Sequence, residues 1–124
     1  MRSPLDLLDL NSTPAFIAPS AGQYPHLWLW DACFHAIILA ELRPELAARE
    51  LNALFDAQLD DGMIPHVRFN PAVETSRYRP NETDWGTGGP HSGITQPPLV
   101  APAAKIVFEK TGDKAFLKRA YPQI

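Results

Sequence analysis

A single acidic side chain lies among aromatic residues in the stretch 23–42. Asp31 directly follows Trp30, Trp28 comes three positions earlier, and Tyr24 lies four positions before Trp28. Apolar residues recur at helical spacing through this stretch and cover nearly every side, which predicts a buried helix. A carboxylate and indole N–H groups need polar partners that an apolar core does not supply. The first turn of this helix is therefore where we expect a ligand to bind.

Each of these side chains also has a purely structural interpretation. Asp31 at a helix N-terminus could be satisfied by backbone amides, and direct catalysis by Asp31 is a further alternative. Trp28 and Trp30 are two positions apart, so they lie on different sides of a helix and one of them could belong to the core. Trp28 and Trp30 suit sugar binding, because the apolar face of a sugar ring packs on indole. We expect Asp31 to accept hydrogen bonds from the hydroxyl groups of such a sugar.

Composition and charge argue against several classes of partner. The chain has 124 residues, a net charge of −3 and no basic run longer than two residues, so neither nucleic acid nor a membrane surface is expected as a partner. No apolar run approaches the roughly 18 residues that span a bilayer. The single cysteine, Cys33, fits a reducing cytoplasm, which is the predicted location. The histidines and acids show no metal-ligand spacing, so we expect neither a metal nor a cofactor.

The rest of the chain predicts helices in pairs. Pro44 suits the first turn of a helix, and Gly62 suits the residue after the end of one. Short connections predict antiparallel neighbours, with a buried inner helix and an amphipathic outer helix in the first pair. Leu5 and Leu8 could start another short helix. The four helices predicted from periodicity cover about 27–42, 44–59, 98–110 and 113–120.

A segment of about 35 residues, 63–97, separates the two pairs and holds Tyr78, Trp85, His66 and His91. A structureless segment of that length is uncommon inside a compact domain, where it is usually functional or disordered. Its aromatic residues and histidines argue against disorder. The sequence therefore predicts an all-α fold of two helical hairpins joined by a long, functional loop.

Three segments carry a family resemblance. They are Tyr-Pro-His-Leu-Trp-Leu-Trp-Asp-Ala-Cys-Phe-His-Ala at 24–36, Gln-Leu-Asp-Asp-Gly-Met-Ile-Pro-His at 58–66, and Ser-Gly-Ile-Thr-Gln-Pro-Pro at 92–98. In this order they resemble glycoside hydrolase family 63, and within it the bacterial mannosylglycerate and glucosylglycerate hydrolases are the most similar. Each segment alone is moderately specific, and together they extend over most of the chain.

The resemblance implies a fold and a set of site residues. The family fold is an (α/α)6 barrel of inner and outer helices, which agrees with the predicted hairpins. Twelve helices need roughly 200 residues, so residues 1–124 are expected to be an incomplete N-terminal part of one such domain. Tyr78 and Trp85 are implied as possible contacts from a mobile lid formed by the loop. By their positions in the motifs, the residues implied to bind the sugar are Tyr24, Trp28, Trp30, Asp31, His66 and Gln96.

The resemblance also implies an activity. Family members hydrolyse glycosides with inversion, using a carboxylic acid and a carboxylate base about 6.5–9.5 Å apart. In the family both groups lie beyond the matched region, so we expect the acid and base beyond Ile124 and no hydrolysis by this chain alone. The implied substrate is a small α-glucoside or α-mannoside, such as glucosylglycerate or mannosylglycerate. The missing remainder of the barrel is then the expected protein partner.

Other functions remain open from the sequence. Trehalase-like and glucoamylase-like families use the same barrel and similar Trp-Asp segments. A carbohydrate-binding module without catalysis would use the same aromatic residues, and its binding would survive in the isolated chain. A helical docking protein would expose a large apolar patch on the inner helix. His66 could be tied to the backbone in a turn rather than bind a sugar.

Overall fold

The computed structural model describes residues 3–74 and 82–124, and these residues are rich in helix. In chain order the α-helices are α1 Pro4–Leu10, α2 Leu29–Leu42, α3 Pro44–Phe55, α4 Glu82–Trp85, α5 Val100–Thr111 and α6 Lys114–Ala120. A 3-10 helix, Tyr121–Gln123, follows α6 directly. Two short strands, β1 Leu27–Trp28 and β2 Val67–Arg68, pair antiparallel. None of the described helices is long and apolar enough to cross a membrane.

The short N-terminal helix α1 begins with a reciprocal cap. The Ser3 hydroxyl accepts a hydrogen bond from the Asp6 N–H at 3.2 Å, and the Asp6 carboxylate accepts one from the Ser3 N–H at 2.8 Å. This pairing satisfies two N–H groups that a helix start otherwise leaves unbonded. The short helix suggested near Leu5 and Leu8 is therefore α1.

Helix α2 is the inner element and packs against both α3 and α5. Its buried positions include Leu29, Cys33, Ala36 and Ala40, as the apolar periodicity predicts. The predicted start at 27 is wrong by two residues, because residues 27 and 28 form β1 and pair with β2 instead. The helix ends at Leu42, before the proline that opens α3.

Helix α3 is amphipathic and buries Leu51, Leu54 and Phe55. The predicted end at 59 is wrong, because the helical hydrogen bonding is not continued past Asp56. The Ala57 N–H bonds three residues back, to the Leu54 carbonyl at 3.0 Å. Further on, the Leu59 N–H bonds forward to the Met63 carbonyl at 2.9 Å, around a turn in which Gly62 has a φ of +89°. A glycine adopts that conformation without the steric cost of a Cβ atom.

The second hairpin joins α5 to α6 through a two-residue connection. Gly112 ends α5 with a φ of +64°, and its N–H bonds the Phe108 carbonyl. The Asp113 carboxylate then caps α6 by accepting hydrogen bonds from the Ala115 and Phe116 N–H groups at 2.9 and 3.0 Å. Both helices lie within two residues of their predicted bounds. Buried Ala103, Ala104 and Val107 on α5, together with Phe116 on α6, belong to the same core as α2 and α3.

The described part of the segment 63–97 is not a structureless loop, and the all-α prediction holds only in part, because a small sheet accompanies the helices. The segment contains β2 and α4, and its backbone is bonded to the start of α2 through the Leu29 N–H and the His66 carbonyl at 3.1 Å. The returning chain pairs with β2, since the Ser92 N–H donates to the Val67 carbonyl at 3.1 Å. Strands of two residues leave no alternation for a sequence pattern to reveal. The result is a small sheet set against the N-terminal end of the inner helix.

Candidate functional site

A recess of about 270 Å³ opens at the N-terminal end of α2. Five of the six residues predicted to bind a sugar line it, and they come from two separate parts of the chain, the 24–36 motif and Gln96. The lining residues are Pro19, Tyr24, Trp28, Trp30, Asp31 and Gln96. Pro19 was not predicted, because the irregular segment before Tyr24 carries no periodic signal that would place it. The predicted residues are thus brought together by three features: β1 carries Trp28, α2 carries Trp30 and Asp31, and Gln96 bonds the start of α2.

The two tryptophans occupy different environments, as predicted, but the reason is that Trp28 precedes α2 in β1 rather than lying on another side of the helix. Trp28 lies in β1, is 8% exposed and forms the back of the recess, with its ring edge-on to Tyr24 at a centroid distance of 6.0 Å. Trp30 lies in the first turn of α2 and is 42% exposed. Trp28 therefore stabilises the wall, and Trp30 offers an open indole face to a ligand.

Gln96 holds the first turn of α2 in place. Its side-chain oxygen accepts a hydrogen bond from the Trp30 N–H at 3.0 Å, across 66 residues of sequence. The first N–H groups of a helix have no partner within the helix, so this contact acts as a distant cap. With its oxygen already accepting this bond, Gln96 still has both N–H groups of its amide to donate to a ligand.

Asp31 is the carboxylate of the recess. It is half-buried in the first turn of α2, where the helix dipole favours negative charge. Burial nevertheless raises the pKa of Asp31, while the nearby His35 acts to lower it. A partly desolvated carboxylate gains from hydroxyl donors that replace water, so Asp31 is suited to accept hydrogen bonds from a polyhydroxylated ligand.

His66 does not line the recess and lies behind Trp28. It is 4% exposed, with its ring centroid 5.4 Å from that of Trp28 and 4.7 Å from that of Trp85. Its Nδ1 lies within hydrogen-bond distance of the buried Ser92 hydroxyl. Burial lowers the pKa of His66, which favours the neutral ring. The contact between Ser92 and His66 was not predicted, because no local sequence pattern links two residues that are 26 positions apart.

The two residues predicted as lid contacts differ in what the structure describes. Trp85 ends α4, is 44% exposed and meets Trp28 edge-on with ring centroids 6.4 Å apart. It does not line the recess, and it contacts the recess residues only through Trp28 among the ring contacts of the described residues. Tyr78 lies outside the described residues, so its predicted contact stays a prediction.

A larger groove of about 900 Å³ runs along the outer side of α3. Segments 12–16 and 68–72 flank it, and Ala48 and Ala53 lie along its floor. It contains none of the residues predicted to bind a sugar, and its lining is mostly apolar. Size alone does not make it the site, since the chemistry of aromatic rings and a carboxylate is at the smaller recess.

Residues 24–124 match the model of the mannosylglycerate hydrolase MGH1-like glycoside hydrolase domain. A mannosylglycerate hydrolase of Thermus thermophilus is 41% identical over 116 residues, covering 89% of this chain and 27% of that protein. A glucosylglycerate hydrolase of Mycolicibacterium hassiacum is 42% identical over 106 residues, covering 78% of this chain and 23% of that protein.

Solved structures give the same result. A GH63 mannosylglycerate hydrolase of Thermus thermophilus, in complex with Tris and D-glycerate, matches with a TM-score of 0.78 and 39% identity. That match covers 96% of this chain and 28% of the solved chain. The same enzyme in complex with glucose matches with a TM-score of 0.70. This chain thus spans only about a quarter of the length of these relatives, and it belongs to the MGH1-like glycoside hydrolases of family GH63.

Proposed function

We propose that this chain forms part of the sugar-binding region of an α-glycosidase that acts on a small glycerate glycoside, such as glucosylglycerate or mannosylglycerate. The observation that carries the proposal is the recess at the start of α2, where an exposed indole, a carboxylate, a phenol and an amide converge. The relatives named as hydrolases of these two compounds support the substrate class.

In this proposal the residues of the recess hold and orient the sugar. The face of Trp30 packs on the apolar face of the pyranose ring. The Asp31 carboxylate accepts hydrogen bonds from ring hydroxyl groups, and the Tyr24 hydroxyl and the Gln96 NH₂ group supply further polar contacts. Trp28 sets the depth of the recess, with His66 supporting it from behind.

The bond-breaking step needs more than these residues supply. An inverting glycosidase uses two carboxyl groups about 6.5–9.5 Å apart, one as acid and one as base. Asp31 is the carboxylate among the described residues that line the recess. We therefore place the acid and base outside residues 1–124 and expect this chain alone to bind a sugar without hydrolysing it.

The helical pairs suggest how the rest of such an enzyme would be arranged. We infer that α2 and α5 are inner helices, and α3 and α6 outer helices, of an (α/α)6 barrel. An apolar stripe on α2, here called the α2 stripe, consists of Trp30, Phe34, Ile38 and Leu42, all of which are exposed. In the proposed barrel, the remaining helices of the domain cover the α2 stripe beyond the recess, from Phe34 to Leu42, and leave the face of Trp30 to the sugar. We also keep the cytoplasm as the proposed location, which the single buried cysteine, Cys33, supports.

The experiment is a sugar titration followed through tryptophan signals. The chain has three tryptophans, so a ¹⁵N-labelled sample gives three indole N–H resonances. We expect D-glucose or D-mannose to shift the Trp30 resonance in a saturable way, with L-glucose as the matched control. Equal responses to D- and L-glucose, or no response, would contradict the proposal. Trehalase-like or glucoamylase-like specificity would appear as a preference for a disaccharide over glucosylglycerate.

A further inference from the structure

Glu50 on α3 is a carboxylate enclosed entirely by protein. It is 0% exposed, although it lies on the outer, amphipathic helix of the first hairpin. Burying a carboxylate is costly unless hydrogen bonds and opposite charges compensate for the lost water. An uncharged side chain of similar size would fill the same space at a lower free-energy cost. The reason for a carboxylate at this position must therefore lie in the contacts that Glu50 makes.

Those contacts join Glu50 to residues that precede Tyr24 of the recess in the chain. One Glu50 oxygen accepts a hydrogen bond from the Ile17 N–H at 3.0 Å. The other accepts one from Arg49 at 3.3 Å, and the same Arg49 nitrogen donates to the Ser12 hydroxyl at 3.2 Å. The His35 Nδ1 atom on α2 lies 3.9 Å from the first oxygen. Glu50 therefore connects α3 to the backbone at residue 17 and, through Arg49, to residue 12.

The segment 16–24, here called the strap, continues from Ile17 to the wall of the recess. Pro19 and Tyr24 line the recess, and the Tyr24 N–H closes the intervening turn by bonding the Ser20 carbonyl at 2.8 Å. Asn11 holds the middle of the strap, donating to the Pro19 carbonyl at 3.3 Å and accepting from the Ala21 N–H at 3.1 Å. The strap is thus fixed at residue 17 by Glu50 and around Pro19 by Asn11.

We propose that Glu50 is a positioning residue for the recess, acting through the strap. By holding the Ile17 N–H, it sets where Pro19 and Tyr24 lie relative to Trp28 and Asp31 on the opposite wall. This inference rests on the proposed function, because it treats the recess as a sugar site. Glu50 touches no ligand in this role and determines the width of the recess from the far side of the strap.

The test compares Glu50→Gln and Asn11→Ala with Glu109→Gln, an exposed glutamate on α5 that serves as the matched control. Amide hydrogen exchange is measured at Ile17 and Tyr24 without ligand, and the Kd for D-glucose is measured by titration. We expect both strap variants to raise exchange at Tyr24 and to weaken D-glucose binding by about fivefold, while Glu109→Gln changes neither. Asn11→Ala tests the strap itself, and Glu50→Asp, which keeps the charge but shortens the side chain, tests the contact with Ile17 should Glu50→Gln not fold.

A merely structural role would give a different result. Glu50→Gln would then lower the urea midpoint of unfolding but leave the Kd and the Tyr24 exchange of the folded protein unchanged, which would overturn the inference. Absence of D-glucose binding by the wild-type chain would instead defeat the proposed function. In that case the Tyr24 exchange and the indole resonance of Trp28 still decide whether Glu50 sets the geometry of the recess.

Discussion

Trp30 presents the most open aromatic face of the recess, and its replacement separates binding from stability. We expect Trp30→Ala to weaken binding of D-glucose or D-mannose by about fivefold to tenfold, since it removes a stacking surface worth about 1 kcal/mol. Because the side chain is already 42% exposed in the folded protein, the unfolding midpoint should change little. Calorimetric titration and urea unfolding measure the two effects.

Phe34 supplies the control for that substitution. It lies one turn further along α2, is similarly exposed, and has its ring centroid 6.4 Å from that of Trp30, but it does not line the recess. Phe34→Ala should leave the sugar Kd unchanged. Equal losses of affinity in the two variants would mean that the α2 stripe as a whole, rather than the recess, determines binding.

Asp31 should show opposite effects on binding and stability. Burial raises the pKa of Asp31, so its ionised form is disfavoured in the folded protein relative to the unfolded chain. Its contribution therefore favours folding at pH values below the unfolded pKa and is lost as the pH rises through the higher folded pKa. Asp31→Asn should accordingly stabilise the protein at pH 7, with a difference that shrinks toward about pH 3.

The same substitution should weaken sugar binding by about tenfold, because an amide is a poorer acceptor than a carboxylate. Urea unfolding at several pH values and a sugar titration at pH 7 give the two measurements. A destabilised Asp31→Asn protein at pH 7 would show instead that Asp31 is satisfied by backbone amides as a structural cap.

Single residues were predictable where their type and local spacing carried the information. The Trp-Leu-Trp-Asp run gives Trp28, Trp30 and Asp31 without any knowledge of the rest of the chain. The contacts of Gln96 and His66 were not predictable, because Gln96 bonds the Trp30 N–H 66 positions earlier in the chain and His66 contacts Ser92 26 positions later. Long-range contacts depend on how the chain folds back, which no short pattern encodes.

The connection between α5 and α6 tests the stability of one element pair. Gly112 has a φ of +64°, which an L side chain adopts at a cost. We expect Gly112→Ala to lower the free energy of unfolding by about 1 kcal/mol, measured in urea. Gly22→Ala is the matched control, because a Cβ at Gly22 meets open space and its φ is not in the strained range. Equal effects at the two glycines would contradict this account.

Helices were predictable and the small sheet was not, for one physical reason. Helical periodicity repeats over several turns within one segment, so α2, α3, α5 and α6 all leave a pattern in the sequence. A strand of two residues has no such repeat and exists because a distant strand supplies its hydrogen bonds. The same dependence explains why the predicted loop 63–97 proved to carry β2 and α4.

The molecule as a whole leaves part of its inner helix uncovered. A helix that is apolar on nearly every side is normally enclosed on every side. In the described residues, α2 packs on α3 and α5, but the α2 stripe stays exposed along the length of the helix. This continuous apolar surface supports the proposal that further helices of the same domain cover it.

The uncovered α2 stripe gives a prediction for the isolated chain. The hydrophobic dye ANS should bind it, and Ile38→Gln should reduce the dye fluorescence because it places an amide in the middle of the α2 stripe. Ile94→Gln is the matched control, since Ile94 is 55% exposed against 45% for Ile38 but lies outside α2. Equal reductions would show that the dye responds to scattered apolar residues. A reduction confined to Ile38→Gln would identify the α2 stripe as the surface that the remainder of the barrel is proposed to cover, and the recess would then lie at one end of that interface.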